Sequence, residues 1–266
     1  MAGAGRSFRN LVLAGSAVVA LHAGSLPKPG PLRPGEGLVV CEGDAPPRTY
    51  GDVARPAPIG GLARMLWLKL VGLEWDSQGV RYRCTGGDAP FPCGGAEGHG
   101  RVDLEGAFRK GCDRAFLAWG AASMARWRQE EGGSVARFQL LEVFGPFLGD
   151  RVAPGDGLPE ITPAWIGRGD LLQASPSGLA AWLEDPLQMD LLTALQRYCS
   201  GYFVDIKFLL GRDGWWILPA TAPTRHGGTR AWVVAGRDDA LVVLRLPAGR
   251  GRVEGLARLK AILALS

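Results

Sequence analysis

A serine followed three residues later by a lysine is one pattern in this sequence that could carry out acyl transfer. On a helix the two side chains lie one turn apart on the same face, so the lysine can accept the proton of the attacking hydroxyl. The pattern occurs once, from Ser25 to Lys28. Pro27 lies between the two residues and prevents a regular helix. We therefore exclude this pair as a catalytic site.

The cysteines are a second group of residues with possible chemistry, and they occupy positions 41, 84, 93, 112 and 199. Their odd number leaves at least one without an intramolecular partner. Cys84 and Cys93 lie close together in a segment rich in Gly and Pro, and we predict a disulfide between them. A zinc site is the alternative, but the spacing is not Cys-x-x-Cys and His99 supplies only a third ligand. We therefore predict no metal site.

Cys112 and His99 each allow a catalytic interpretation as well. Cys112 could act as a nucleophile, but it lies on the apolar face of a predicted helix, and no residue nearby in the sequence would lower its pKa. A buried structural thiol is therefore favoured. His99 stands in a Gly-His-Gly turn and could be a general base, although hydrogen bonds that stabilise the turn are the favoured role for its imidazole.

The two ends of the chain carry the patterns that predict strands. A short apolar run at 37–41 predicts a first strand, and three strand-like runs at hairpin spacing follow within 215–246. The segment 253–265 has the spacing of an amphipathic helix, whose apolar face contains Leu256, Leu259, Ile262 and Leu263. We therefore predict an α+β fold with an antiparallel sheet built from both chain ends, flanked by helices, and with an inserted, mainly helical subdomain.

The middle of the chain has apolar residues at helical spacing. A mostly buried helix is predicted over 60–72, and another over 102–131 with Asp103 as its N-cap. In the second helix, Gly106 and Gly111 are weak points and Gly120 is a possible break. A further helix over 135–149 is predicted to be cut at Gly145-Pro146, and Ser175 is predicted to cap the helix that begins at Pro176.

The composition is that of an ordinary folded protein, with 47% apolar and 21% charged residues and a net charge of +4. No basic cluster interleaved with aromatic residues is present, so we predict no nucleic-acid partner. Residues 1–24 have the pattern of a signal peptide or anchor, residues 25–36 of a Pro/Gly-rich linker, and residues 37–266 form one domain. We expect a periplasmic or secreted protein, or one anchored in the membrane if the first segment is not cleaved.

Several stretches in the domain resemble the transpeptidase domain of penicillin-binding proteins, whose superfamily includes the serine β-lactamases. The stretch "YRCTGG…C…GHGRVDLEGAFRKGCDRAF", residues 82–116, resembles the family's cysteine-bearing loop, its His-Gly-x-Val-Asp-Leu turn and the helix after it. The stretch "IGRGDLLQASPSGLAAWL", residues 166–183, is similar to the family's Gly-Gln-Gly segment and the helix that follows Thr-Pro. The resemblance covers about residues 37–266 and implies the family's fold.

The same resemblance locates the positions of the three catalytic motifs. In "PIGGLARM", Gly61 stands at the position of the nucleophilic serine and Arg64 at that of the lysine of Ser-x-x-Lys. In "GCD", Gly111 and Asp113 stand at the positions of the serine and asparagine of Ser-x-Asn. In "PAT", the best match to Lys-Thr-Gly keeps only Thr221.

All three motifs are therefore degenerate, and Asn10 is the single asparagine of the whole chain. Glycine offers no nucleophile, and the guanidinium of arginine stays protonated and cannot act as a base. We predict a pseudoenzyme without a cofactor that binds peptidoglycan or an envelope protein. Two alternatives remain open at this point: an active serine acyl-transferase or β-lactam-binding hydrolase with an unrecognised nucleophile, and a secreted structural domain without a ligand.

Overall fold

The computed structural model describes residues 26, 28–87, 93, 97–130, 132–149, 160–199, 215–224 and 227–264. The predicted signal or anchor segment, 1–24, lies outside the described residues. No helix in the described ranges is both long enough and apolar enough to cross a membrane.

Strands from both ends of the chain form one antiparallel sheet, as the sequence predicts. In the described part of the chain this sheet has five strands in the order β2-β1-β9-β8-β7. The register pairs Val40 of the first strand with Val242 of the last. The strands are β1 (Gly37–Glu42), β2 (Arg48–Gly51), β7 (Trp216–Pro223), β8 (Thr229–Arg237) and β9 (Ala240–Leu246). The sequence did not predict β2, which is a four-residue edge strand with half of its residues exposed.

The two faces of this sheet are both buried, each in its own apolar core. Successive residues of a strand point to opposite faces, so Val39 joins one core while Leu38 and Val40 join the other. The first core contains most of the helices. The second contains Leu256, Leu259 and Ile262 of the closing helix α8 (Leu256–Ala264), as predicted, while the side chain of Leu263 is not described.

The described part of the predicted linker contacts the closing helix. Leu26 is buried in the second core, and the guanidinium of Arg258 donates to the carbonyl oxygen of Pro31 at 2.7 Å. Arg258 also forms a buried ion pair with the carboxylate of Glu36 at 2.8 Å. These contacts hold residues 28–36 against the sheet and its closing helix.

Helices and two short strand pairs occupy the other side of the sheet. A 3₁₀ turn (Gly60–Leu62) leads into α1 (Ala63–Trp67), a π turn (Leu68–Gly72) and α2 (Leu73–Ser77). The later helices are α3 (Leu104–Lys110), α4 (Asp113–Glu130), α5 (Gly133–Leu148), α6 (Pro176–Glu184) and α7 (Met189–Cys199). The short pairs join β3 (Ala57–Pro58) to β6 (Gln173–Ala174) and β4 (Tyr82–Cys84) to β5 (Gly100–Val102).

The predicted helix over 102–131 is divided at one of its glycines. Asp103 caps α3 as expected, since its carboxylate accepts from the N–H of Gly106 at 2.8 Å. The chain turns at Gly111, whose φ of 68° is left-handed. The predicted break at Gly120 is wrong: α4 continues because an added Cβ there would lie 2.8 Å from Trp67, which packs against the bare backbone. The predicted cut at Pro146 is also wrong, since α5 continues to Leu148.

Candidate functional site

The N-terminal turn of the first helix is held against the edge strand β7 by close backbone contact. A Cβ at Gly60 would lie 2.1 Å from the carbonyl oxygen of Thr221, and one at Gly167 would lie 1.8 Å from the oxygen of Gly60. Both positions have positive φ and both exclude a side chain. The residues that follow, Ala63 to Trp67, are all buried. The helix is therefore central in the domain, as predicted, with Gly61 at its start.

The guanidinium of Arg64 lies in the space that side chains at two glycine positions would need. A Cβ at Gly61 would lie 2.8 Å from Nη2 of Arg64, and a Cβ at Gly111 would lie 2.8 Å from Nη1. Both distances are shorter than non-bonded carbon and nitrogen atoms tolerate. The structure thus brings together three of the positions predicted from the sequence, because Gly61 and Gly111 leave the space that the Arg64 guanidinium occupies.

Asp113, at the fourth of these positions, supplies the counter-charge. One carboxylate oxygen accepts from Nη1 of Arg64 at 3.1 Å, and the other accepts from Nε of Arg168 at 3.0 Å. Arg64 and Asp113 are both about nine-tenths buried, whereas Arg168 is 41% exposed. We call Gly61, Arg64, Gly111, Asp113 and Arg168 the arginine cluster. The pairing of Arg64 with Asp113 offsets part of the penalty for taking the two charges out of water, while Nε of Arg64 is buried without a hydrogen-bond partner among the described residues.

Thr221, the fifth sequence-predicted residue, lies beside this cluster and has a structural contact. Its hydroxyl oxygen accepts from the N–H of Gly251 at 3.0 Å, where the closing helical segment begins. The strand residue nearest to Gly61 is its neighbour Ala220, whose Cβ lies 3.6 Å from the position of an added Cβ. The strand position that faces the first helix thus carries a methyl group.

A small basic cavity opens next to the arginine cluster. It has a volume of about 140 Å³ and is lined by Arg64, Phe108, Arg109, Tyr198, Cys199, Ile217, Leu218, Pro219 and Arg252. Desolvation and then the positive charge of Arg64 lower the pKa of Arg252. The smaller contribution, from Arg64, shows that the two guanidinium groups repel each other, so an anion between them would be favourable.

The two titratable side chains in the cavity that could act as nucleophiles are held in their neutral forms. Burial raises the pKa of Cys199 to about 12, although the charge of Arg64 opposes the effect. Burial and a hydrogen bond with Asp76 raise the pKa of Tyr198 to about 12. At neutral pH neither group is ionised, so neither is an activated nucleophile.

A second cluster adjoins the first, since Cys112 stands between Gly111 and Asp113. The sulfur of Cys93 lies 3.9 Å from that of Cys112 and 3.5 Å from Nδ1 of His99. Cys84 completes the group, and the four ligand atoms all lie within 4.8 Å of one another. We call Cys84, Cys93, His99 and Cys112 the thiol cluster.

The predicted Cys84–Cys93 disulfide is not formed in this structure, where both residues are free thiols. The Cys84 sulfur approaches the carbonyl oxygen of Cys93, at 3.8 Å, while the Cys93 sulfur faces Cys112 and His99. Cys112 is not a candidate nucleophile, because its hydrogen bond with Cys93, together with burial, raises its pKa. The same hydrogen bond lowers the pKa of Cys93.

Sequence reasoning missed two arginines of the site and the fourth member of the thiol cluster. Arg168 is part of the quoted "IGRGD" stretch, but nothing in its spacing indicates that it would reach Asp113. Arg252 lies far along the chain at the start of the closing segment. Cys112 was assigned to the apolar face of a helix, whereas it lies at the junction between α3 and α4.

No protein-family model and no curated protein matches the sequence. Solved structures do match. The class D β-lactamase YbXI from Nostoc is 13% identical, with 85% of this chain and 90% of that chain covered and a TM-score of 0.55. A β-lactamase from Xanthomonas campestris pv. campestris is 16% identical, with 86% and 88% covered and a TM-score of 0.52. PBP2 from Pseudomonas aeruginosa, in complex with WCK 5153, is 17% identical, with 81% and 62% covered and a TM-score of 0.52.

Proposed function

The chain has the fold of the penicillin-binding protein and serine β-lactamase superfamily, and we propose that it is an exported, catalytically inactive member that acts by binding. The observation that carries this proposal is the position of the Arg64 guanidinium, which takes the space of the side chains absent at Gly61 and Gly111. A serine at either position would collide with it. The site is thus filled by a different and internally paired set of groups.

Loss of the nucleophile and the base together supports inactivity on energetic grounds. Glycine cannot form an acyl-enzyme, and arginine remains protonated at any pH at which the fold survives. Removal of a catalytic serine from a cooperating site lowers the rate by roughly a million-fold. Tyr198 and Cys199, which line the cavity, keep their protons at neutral pH and do not replace the serine.

The ligand we propose is a carboxylate-bearing part of peptidoglycan. The cavity of about 140 Å³ is smaller than the roughly 300 Å³ at which pockets for drug-sized molecules begin. A cavity of this volume holds a small group of about the size of a benzene ring, so it accepts one end of a larger molecule. Arg252 and Arg109 lie at its edge, and guanidinium groups bind carboxylates through paired hydrogen bonds. The end of a stem peptide has this chemistry. The N-terminal pattern in residues 1–24 supports export to the compartment where peptidoglycan occurs.

Incubation with benzylpenicillin followed by intact-mass measurement tests inactivity. We expect no added mass, with an active penicillin-binding protein as the positive control. Restoring Gly61→Ser and Arg64→Lys together should still give little acylation, because Gly111 and Asp113 remain. An adduct on the unaltered chain would establish an active acyl-transferase with another nucleophile and overturn the proposal.

Co-sedimentation with purified peptidoglycan tests binding. We expect the full chain to sediment with peptidoglycan, and Arg252→Ala to weaken this by about tenfold, the loss of one charge-assisted contact. Arg250→Ala is the matched control, since Arg250 does not line the cavity and pairs with Glu254. Equal weakening by both variants would indicate non-specific charge attraction. No sedimentation would support a structural domain without this ligand.

An envelope protein is a second candidate partner, favoured by exposed apolar side chains. Phe138 on α5 is 69% exposed and Leu187 before α7 is 71% exposed. Leu187 lines a groove of about 340 Å³ together with Trp127 and Trp182. An exposed apolar side chain at the border of a groove can form part of a protein-binding surface. Crosslinking in the envelope, compared between the unaltered chain and Leu187→Asp, tests this candidate: a crosslinked protein lost in the variant supports it, and an unchanged pattern contradicts it.

A further inference from the structure

The thiol cluster is assembled by three separate parts of the chain. The pairing of β4 with β5 sets Cys84 opposite Gly100, and His99 immediately precedes that glycine. The left-handed turn at Gly111 ends α3 and directs Cys112 inward, where it is fully buried. Cys93 lies between them and is 4% exposed. The convergence of these residues therefore depends on tertiary structure and not on sequence spacing.

The distances within the cluster match those of a tetrahedral metal site. Zinc binds thiolate sulfur at about 2.3 Å and imidazole nitrogen at about 2.0 to 2.1 Å, which gives tetrahedral edges of about 3.8 Å between sulfurs and about 3.6 Å between sulfur and nitrogen. The corresponding distances here are 3.9 Å between Cys93 and Cys112 and 3.5 Å between Cys93 and His99. All separations in the cluster are within 4.8 Å, so none exceeds an ideal edge by more than about 1 Å. A small inward movement of one ligand closes this gap.

We propose that Cys84, Cys93, His99 and Cys112 bind a structural zinc ion. Three sulfurs and one imidazole nitrogen are a common ligand set of closed zinc sites, and they disfavour magnesium or calcium, which prefer oxygen. The surroundings hold the ligands in place. Arg114 donates from its guanidinium to the carbonyl oxygen of Gly87 at 2.8 Å, and Lys110 donates to the carbonyl oxygen of His99 at 2.9 Å.

A bound ion would link Cys112, which lies between two of the predicted motif positions, to Cys84, Cys93 and His99. Gly111 and Asp113 flank Cys112 in the chain, and both contact Arg64. Fixing the sulfur of Cys112 to a metal also fixes the backbone on both sides of it. The metal site then acts as a positioning device for the arginine cluster, although it contributes no group to the basic cavity.

Metal content of the full chain, purified from a bacterial host without chelators, tests the proposal. Elemental analysis should find about one zinc per chain, as one four-ligand site requires. Cobalt(II) exchanged into the site should give the intense visible bands of tetrahedral coordination and a near-ultraviolet thiolate charge-transfer band. Removal of the metal by a strong chelator should lower the thermal midpoint and make three additional thiols reactive to an alkylating agent.

Substitutions separate this site from adventitious binding. Cys84→Ser, Cys93→Ser and Cys112→Ser should each lower zinc affinity by more than about 100-fold, since even outer-sphere partners are worth 10- to 100-fold. Cys41→Ser and Cys199→Ser are matched controls, because both are buried cysteines outside the cluster. If a cluster variant does not fold, the cobalt spectrum and chelator-dependent alkylation of the unaltered chain still decide the question.

Three results would overturn the inference. One is a purified, folded chain that contains no zinc and takes up neither zinc nor cobalt under reducing conditions. Another is a disulfide among Cys84, Cys93 and Cys112 in the protein as isolated, found by non-reducing peptide mapping. Zinc retained equally by the cluster variants and the control variants would likewise contradict it.

Discussion

The arginine cluster and the thiol cluster meet at the junction between α3 and α4, and their chemistry differs. In the arginine cluster, Arg64 and Arg168 surround the carboxylate of Asp113, so both signs of charge come from the chain itself. In the thiol cluster, all four converging atoms are electron-pair donors. The first cluster takes its counter-charge from the chain itself, with one carboxylate shared by two guanidinium groups, whereas the second has the ligand set of a metal ion.

The difference shows two ways in which a fold can place polar groups in a buried region. Gly61 and Gly111 carry no side chains, and the guanidinium of Arg64 from α1 lies in the space that such side chains would need. A buried cation is tolerated only with a partner, which Asp113 provides. The stability of the arginine cluster should therefore depend on the Asp113 carboxylate, and that of the thiol cluster on the proposed zinc ion.

The largest effect is expected from Asp113→Ala, which leaves Arg64 buried without its counter-charge. Breaking a buried ion pair from one side usually lowers the free energy of unfolding by about 3 to 5 kcal/mol. Urea unfolding of both proteins measures the difference. Adding Arg64→Leu to the variant should recover part of the loss, because the unpaired charge is then gone.

The matched control for that variant is Glu105→Ala. Glu105 pairs with Arg109 on the surface of α3, and each side chain is about half exposed. Exposed pairs contribute roughly 0 to 1 kcal/mol, so this variant should unfold almost as the unaltered chain does. Similar losses of unfolding free energy in the two variants would show that Asp113 is not a buried counter-charge. The contrast drawn between the two clusters would then be wrong.

A smaller effect is expected from Gly111→Ala. The left-handed backbone at this position costs a residue with a side chain about 1 to 2 kcal/mol, and displacing the Arg64 guanidinium adds to it. We expect the free energy of unfolding to fall by about 2 to 3 kcal/mol in total, as measured by urea unfolding. Gly79→Ala sharpens the comparison, because Gly79 has a φ of 58° but no atom near an added Cβ. Equal losses of unfolding free energy at both glycines would show that a side chain at position 111 does not displace the Arg64 guanidinium.

The smallest effect on stability is expected from a change in pH, which acts on the buried ion pair of Glu36 and Arg258 on the other face of the sheet. Burial alone would raise the pKa of Glu36, but hydrogen bonds from Arg258 and from the Arg33 amide lower it below the usual value of 4.5. Between the lowered and the usual pKa, the unfolded chain binds more protons than the folded one. The stability from this pair is therefore complete above about pH 4.5 and is lost as pH falls through the folded pKa.

Unfolding measured across this acid range, for the unaltered chain and for Glu36→Gln, checks the prediction. The variant should have a shallower decrease in stability towards low pH, since a neutral amide does not titrate. Parallel curves would show that Glu36 does not contribute to the acid sensitivity.

Local signals in the sequence located several elements correctly. The Asp103 and Ser175 caps form the hydrogen bonds that their positions indicate. Short apolar runs at both chain ends predicted strands of one sheet. The predicted break at Gly120 was wrong. Helix propensity is a local property, whereas the glycine at this position makes room for Trp67, which is distant in the sequence.

The composition of the site followed from sequence, but its arrangement did not. Residue types alone determine that Gly61 has no nucleophile and that Arg64 cannot be a base. The entry of the Arg64 guanidinium into the space beside Gly61 and Gly111 depends on the distance between two helices, which no local pattern encodes. The same holds for Arg168, which reaches Asp113 only because the Gly167 turn packs on Gly60.

The sequence by itself thus determined the fold class, the residue types at positions 61, 64, 111 and 113, and the presence of thiols and a histidine. Only the tertiary structure decided that Cys112 joins Cys84, Cys93 and His99, and that the Cys93 sulfur faces Cys112 and His99. The physical reason is that residue type and short-range periodicity are properties of the chain, whereas convergence of ligands requires strand pairing and a left-handed turn at Gly111 that act together.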